Sequence, residues 1–371
     1  MPSASWVPQS IEEDPSIASV EVVGGVTYLI YGLSADDDPT IIEQLVDGSF
    51  TEHELTASLV DNASGAAGDR IVVQKISGDS TSAFFVFDTV THTSASIFIA
   101  QPGVLIPVHG NAGTGPDGKL YFPPYRAVSG FESMRPIVYN PETLGILLTS
   151  FGGAWIYDSY GWAEGGGDGL LYFAPGFFPM TSGSFQNGST LACVDVATNT
   201  VTALPRPNEG PFDAPLKATR WTAPTVDGIY LMSQYGNLYK VQSTGCTLIA
   251  DLSNGGDDTY APPTYAGGRL YSVGSSYRGD IDLFVPVLLE VTPGTDAVAV
   301  YEFPALAQEH FIPTVSFPFG GTVRAFPSGF GSFDPILQIG PGGGLRFALG
   351  SVPVMLALGD ELITPALGEV S

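Results

Sequence analysis

The residues "GPDGKLYFPP" (115–124) return almost letter for letter as "GGDGLLYFAP" (166–175). A chain that writes one turn and strand twice is built from repeats, and repeats constrain architecture before anything else does. With the glycine before the strand as pivot, "DGIYLM" at Gly228 and "GGRLYS" at Gly268 belong to the same series. Looser copies are "GDRIVV", with Asp69 in the pivot place, "GGTVRA" at Gly321 and "GDELIT" at Asp360. Successive pivots lie 39 to 59 residues apart.

Each pivot but the last is followed by an apolar strand, a turn and a second apolar strand. The copies are "FFVFDTVTHTSASIFI", "PIVYNPETLGILLTS", "LACVDVATNTVTALP", "NLYKVQSTGCTLIADL", "LLEVTPGTDAVAVYEF" and "PILQIGPGGGLRFAL". Asp, Asn or Gly beside Thr or Pro is the chemistry that sets a hairpin turn. Ahead of several pivots stands a strand headed by proline (Pro107, Pro224, Pro263, Pro313, Pro353). Proline is tolerated there because the first residue of a strand owes no ladder donor. One unit is therefore strand, turn, strand, gap, strand, turn, strand, which describes a four-stranded propeller blade. A blade apolar on both faces must be covered by neighbours on both sides, so the copies close into a ring.

These residues predict an all-β fold, a β-propeller of four-stranded antiparallel blades, with seven blades favoured and six as the alternative. Residues 1–19 are read as an N-terminal arm and 20–371 as one propeller domain. The hairpin "VEVVGGVTYLIYG" (20–32) is expected to pair with C-terminal strands over 351–364, joining the chain ends in a composite blade. "TIIEQLVDG" (40–48) and "FPALAQEHF" (303–311) are the best tries at a helix, two turns each at most.

The strand "dG-x-Φ-Y" resembles that of Kelch-like and quinoprotein-like propeller families. The glycine doublet that follows the strand in Kelch repeats is missing after "DGKLYF" and "DGLLYF", and no Trp recurs at a blade position. The resemblance implies architecture and says nothing of activity.

Composition narrows the partners. Against 38 acidic residues stand 13 basic ones, for a net charge of −25. Such a surface repels nucleic acid, so sequence-specific DNA or RNA binding is not expected. The acids cluster only at Glu12-Glu13-Asp14, Asp36-Asp37-Asp38 and Asp257-Asp258, which read as solvated loops. No positively charged segment with an apolar run opens the chain and no run of 18 apolar residues occurs, so synthesis without a signal peptide and without membrane insertion is expected.

No sequence signature names a reaction. His53, His92, His109 and His310 form no pair at i,i+3 or i,i+4, and Cys193 and Cys246 have no metal-ligand spacing with them. The cysteines read as buried thiols on neighbouring repeats. No catalytic residue, cofactor or metal ligand set is assigned. The binding candidates are loop aromatics, Tyr160, Trp162, Phe177 and Phe178, together with Arg206, Phe212 and Trp221 from the long insertion 204–221. Tyr160 and Trp162 are expected to be exposed, whereas Trp155 and Tyr157 are expected in the blade-to-blade core. The run "GGGDG" (165–169) lacks the lysine and helix of a phosphate loop and reads as a hairpin loop.

Two functions follow. One is a non-enzymatic structural or binding propeller of a larger assembly, such as a tail-associated virion protein of a tailed phage, with other proteins, further copies of itself or a surface glycan as partners. The other is a metal-dependent lactonase- or lyase-type enzyme acting on a sugar acid or lactone, with His109 and His310 beside the channel.

Overall fold

The computed structural model describes residues 2–7, 17–31, 40–54, 63–76, 82–99, 110–123, 136–151, 154–155, 162–174, 177–178, 191–204, 222–232, 237–252, 259–327, 336–340, 346–349 and 352–355. Among them the strands form seven blades, each an antiparallel meander with its first strand innermost. Blade 1 is Ile17–Val23, Val26–Tyr31, Thr40–Gln44 and Phe50–Glu54. Blade 2 is Ala63–Ala67, Arg70–Ile76, Ser82–Asp88 and Thr93–Ile99, with Gly110–Asn111 added in parallel to its inner strand. Blade 3 is Gly113–Thr114, Leu120–Phe122, Ile137–Asn140 and Gly145–Leu148. Blade 4 is Trp162–Gly165, Leu171–Ala174, Leu191–Asp195 and Thr200–Leu204. Blade 5 is Thr222–Thr225, Gly228–Met232, Asn237–Gln242 and Gly245–Asp251. Blade 6 has Thr259–Tyr260 and Thr264–Ala266 sharing the inner place, then Arg269–Arg278, Leu283–Thr292 and Ala297–Glu302.

Blade 7 closes the ring. Pro313–Phe319, Thr322–Pro327 and Ile336–Gly340 supply three strands, and Ser3–Val7 from the other end of the sequence supplies the fourth. The register runs from Ser3 opposite Gly340 to Val7 opposite Ile336. Trp6 meets Phe311 edge to face, with centroids 5.4 Å apart.

Closure by N- and C-terminal segments therefore holds, through different strands from those expected. The hairpin at residues 20–32 is the inner half of blade 1, completed by Thr40–Gln44 and Phe50–Glu54. The expected partner segment 351–364 lies outside the described residues except for Val352–Met355, which pairs with Arg346–Leu349. The hairpin expected in "PILQIGPGGGLRFAL" does not form, because Ser3–Val7 takes the place beside Ile336–Gly340. Of the two best tries at a helix, 40–48 forms the strand Thr40–Gln44 followed by a turn. Ile41 and Ile42 face opposite sides, Ile41 packing against blade 2 and Ile42 against blade 7. At 303–311 only the short 3₁₀ turn Pro304–Leu306 is helical.

The core follows from the same geometry. Strand side chains alternate between faces, and here both faces are covered, so the second strands of blades 3, 4 and 5 read as unbroken apolar runs. In "LYF", Leu120 and Phe122 pack back onto blade 2 while Tyr121 packs forward onto blade 4. Seven apolar clusters fill the seven blade interfaces, the last joining Phe317, Phe326 and Ile336 of blade 7 to Leu29 and Ile42 of blade 1. The two thiols, buried Cys193 and partly buried Cys246, both lie at the interface of blades 4 and 5.

Near the axis the inner strands approach backbone to backbone, which accounts for the glycine run. Gly167 N donates to Thr225 O of blade 5 at 2.7 Å. A Cβ on Gly165 would overlap Thr114 O of blade 3, and one on Gly167 would overlap Thr225 O. Gly169, by contrast, has φ +78° with open space around it, the left-handed position a tight turn requires. "GGGDG" is thus two close blade contacts followed by a turn.

Candidate functional site

Of the binding residues expected from sequence, only Trp162, Phe177 and Phe178 fall among the described residues. Tyr160, Arg206, Phe212 and Trp221 lie outside the described residues, as do His109, Tyr157 and the three acidic clusters. Phe177–Phe178 pairs with Ala154–Trp155 as a separate two-stranded sheet. Trp162 is the one whose side chain is described, and its expected exposure is corrected: it is 3 % exposed. It heads the inner strand of blade 4 on the face turned to blade 5, packing with Tyr172, Leu191 and Ile229. Its indole N–H finds no acceptor among the described residues. His310 is exposed between the 3₁₀ turn and blade 7.

What the structure brings together instead lies between blades. The turn joining third and fourth strands recurs with one chemistry. Asp88 Oδ1 accepts from the N–H groups of Val90 and Thr91, both at 3.0 Å. Asp195 Oδ1 likewise accepts from Ala197 and Thr198. In four blades the turn ends on a residue of positive φ: His92, Leu144, Asn199 and Asp296. In three of them that residue reaches back to the preceding blade. Asn199 Nδ2 donates to Ser150 O at 3.3 Å. Asp296 accepts from Lys240 Nζ at 3.0 Å and also from the Tyr230 hydroxyl. His92 Nε2 lies 3.3 Å from Glu43 Oε2.

The Lys240 arrangement is a closed structural network. Its side chain, 9 % exposed, also meets Asp227 Oδ1 at 2.9 Å, and Asp227 Oδ2 accepts from Gln242 Nε2 at 2.7 Å. Burial would lower the Lys240 pKa, but hydrogen bonds and charge from Asp227 and Asp296 outweigh it and raise the value. A paired ammonium of this kind locks blades 5 and 6 together and leaves no free nucleophile.

The cluster at His92 is different in kind. Glu43 and His53 sit diagonally on one face of blade 1, since Glu43 is opposite Thr51 and Ile41 opposite His53. That face packs on blade 2, so the turn of blade 2 delivers His92 against them. His53 Nε2 is 2.9 Å from Glu43 Oε2, and the two imidazoles stand 4.6 Å apart between centroids. The Phe87 ring stacks parallel to His92 and lies beside His53 as well. The three ligand atoms all fall within 4.8 Å of one another. No spacing along the chain announces this set, because its members come from three different segments. The available signal is the repeat itself, which puts a histidine where other copies put leucine, asparagine or aspartate.

The second unusual group is Glu21, on the inner strand of blade 1. Ser64 Oγ of blade 2 lies 3.5 Å from Glu21 Oε1 and is also hydrogen-bonded to Ser19 Oγ. Burial pushes the Glu21 pKa up to about 8, against a smaller lowering by the Ser64 hydroxyl. The folded state therefore holds a proton that the unfolded chain releases above its ordinary value of 4.5. Stability is full below that pH, falls as pH rises toward 8, and is flat above. Replacing Glu21 by Gln is expected to leave urea stability unchanged at pH 4. At pH 8.5 it should raise stability by on the order of 2 kcal/mol, less than the full shift implies because Glu21 as a residue is only partly buried. A variant equal to the parent at both pH values would show that the carboxylate is not desolvated.

No protein-family model and no curated protein matches this chain in sequence. Among solved structures it is similar to the crystal structure of BamB from Moraxella catarrhalis, with 13 % identity and a TM-score of 0.44, over 86 % of this chain and 81 % of that one. It is also similar to the crystal structure of TolB from Acinetobacter baumannii, with 13 % identity and a TM-score of 0.41, over 75 % of this chain and 63 % of the other.

Proposed function

We propose that this chain is a non-enzymatic binding ring of a larger protein assembly, with a tailed-phage virion as the setting. The observation that carries the reading is a set of apolar tips on the turns of one face. In a meander blade the turn after the first strand and the turn after the third lie on the same side. Val46 and Val90, in third-to-fourth turns of blades 1 and 2, are 100 % and 71 % exposed. Leu144 in blade 3 and Val226 in blade 5 are also exposed. Solvated aliphatic side chains repeated around one rim are what a protein partner would cover. The acidic composition supports the same reading, since it keeps such a ring soluble before assembly.

The test is to isolate the tagged chain from its native source, under conditions that preserve complexes, and to compare it with a Val46→Asp/Val90→Asp variant. The parent is expected in a complex of defined stoichiometry, in particles if the virion setting holds, with an interface of at least about 1,000 Å². The variant should fold normally and be lost from the complex. A parent that is an isolated monomer in native extracts, or a variant retained as well as the parent, would refute the reading.

A further inference from the structure

We propose that Glu43, His53 and His92 form a binding site for one divalent transition-metal ion of the zinc class, clasping blade 1 to blade 2. Two imidazoles and one carboxylate are a donor set suited to Zn²⁺, Co²⁺ or Ni²⁺ rather than to the hard ions Mg²⁺ and Ca²⁺, which prefer oxygen alone. In a tetrahedral site with ligand bonds of about 2.0 to 2.2 Å, neighbouring donor atoms stand roughly 3.4 Å apart. Here Glu43 Oε2 is 2.9 Å from His53 Nε2 and 3.3 Å from His92 Nε2. With the two imidazole donors also within 4.8 Å of each other, all three atoms can reach one ion by small adjustments of the side chains.

Burial fits a site with one accessible side. The Glu43 and His53 side chains are 13 % and 15 % exposed, and His92 is 45 % exposed. A fourth position beside His92 would face solvent and take water or a ligand from a partner, the pattern of an open rather than a sealed zinc site. The rings are fixed from behind by Phe87, which contacts both, and Phe87 in turn meets Tyr28 of blade 1. His92 owes its aim to a backbone φ of +54° at the end of its turn. Asn199 occupies the same place in blade 4 with φ +58°, so asparagine is compatible with the turn. A purely structural pin needs only hydrogen bonds to one residue of the preceding blade, as Asn199 makes with Ser150. The second imidazole, converging on the same carboxylate oxygen, is what a metal site adds.

The experiment is titration of the purified full chain with Zn²⁺ by calorimetry, and with Co²⁺ by visible absorption, for the parent, His92→Asn and a Cys193→Ser/Cys246→Ser variant. The parent is expected to bind one ion per chain, giving with Co²⁺ the intense visible bands of a low-coordinate site and with excess Zn²⁺ a higher melting temperature. His92→Asn should melt near the parent without metal, bind on the order of tenfold more weakly or worse, and lose the Co²⁺ bands. The cysteine variant should bind as the parent does. Absence of stoichiometric binding by the parent would overturn the proposal. So would binding unchanged in His92→Asn, or binding that depends on the two cysteines.

Discussion

Interrupting the strand Ser3–Val7 should open the ring and cost more stability than any other change considered. In Ser5→Pro/Trp6→Ala, the ring and fixed φ of proline fall in the middle of five consecutive pairs with Ile336–Gly340. The second change removes the indole that packs on Phe311 and on the blade 6–7 core. Val7, which packs at the blade 7–1 interface beside Phe326 and Ile336, goes with the strand. Two of the seven interfaces are therefore damaged at once. Loss of a large apolar side chain and of a backbone register together should cost about 5 kcal/mol, comparable to the whole stability of an ordinary domain. Circular dichroism and urea melts should show a chain largely unfolded or molten at 25 °C. A variant that melted within a few degrees of the parent would mean that the strand is an accessory to the ring.

The second large effect is expected at the glycine run. Gly167→Ala places a methyl against the Thr225 carbonyl, which already accepts the Gly167 N–H. Backbone cannot yield as a flexible side chain does, so blades 4 and 5 must separate, and the loss should be about 3 kcal/mol. Gly169→Ala, two residues on, meets no atom within 4 Å but must adopt φ +78°. Its cost is that of the left-handed backbone alone, about 1 kcal/mol. Equilibrium unfolding of the two variants separates these causes. Equal losses would mean that the run serves turn geometry throughout and that the blades are not in close contact there.

The same contrast explains what could be read in the sequence. The turn glycines and the strand after them repeat because six of the seven blades use a left-handed turn there and every blade needs a doubly buried second strand, Gly228 of blade 5 differing with φ +153°. Gly118, Gly169 and Tyr121 with Tyr172 are therefore visible as letters. In both blades the turn aspartate serves the tyrosine four residues on: Tyr121 donates to Asp117 and Tyr172 to Asp168. Blade 1 escaped because its third and fourth strands, Thr40–Gln44 and Phe50–Glu54, carry no copy of the turn motif. Ile41 and Ile42 adjoin, and a strand buried on both faces lacks the alternation that distinguishes strand from helix.

The closing strand was hidden for another reason. Its pairing with Ile336–Gly340 spans nearly the whole sequence, and no local pattern in "SASWV" names its partner. The Glu43–His53–His92 cluster was hidden likewise. Its members are ordinary in their own segments and meet only because blade 2 follows blade 1 round the ring. Trp162 shows the opposite error: Asp158 and Gly161 nearby suggest exposure, but the residue begins a strand and turns inward.

The central claim is a single-chain ring of seven blades fastened by its own N-terminal strand. Ser5 and Gln338 are directly opposite in that fastening pair, and facing residues of an antiparallel ladder stand about 4.5 to 5.5 Å apart, within disulfide reach. In Ser5→Cys/Gln338→Cys, mild oxidation of the folded chain followed by digestion and mass spectrometry should yield one intramolecular cross-link between these positions, in a monomer that melts at a higher temperature than its reduced form. Free thiols at both positions in the folded chain, or cross-links found only between chains, would contradict the account.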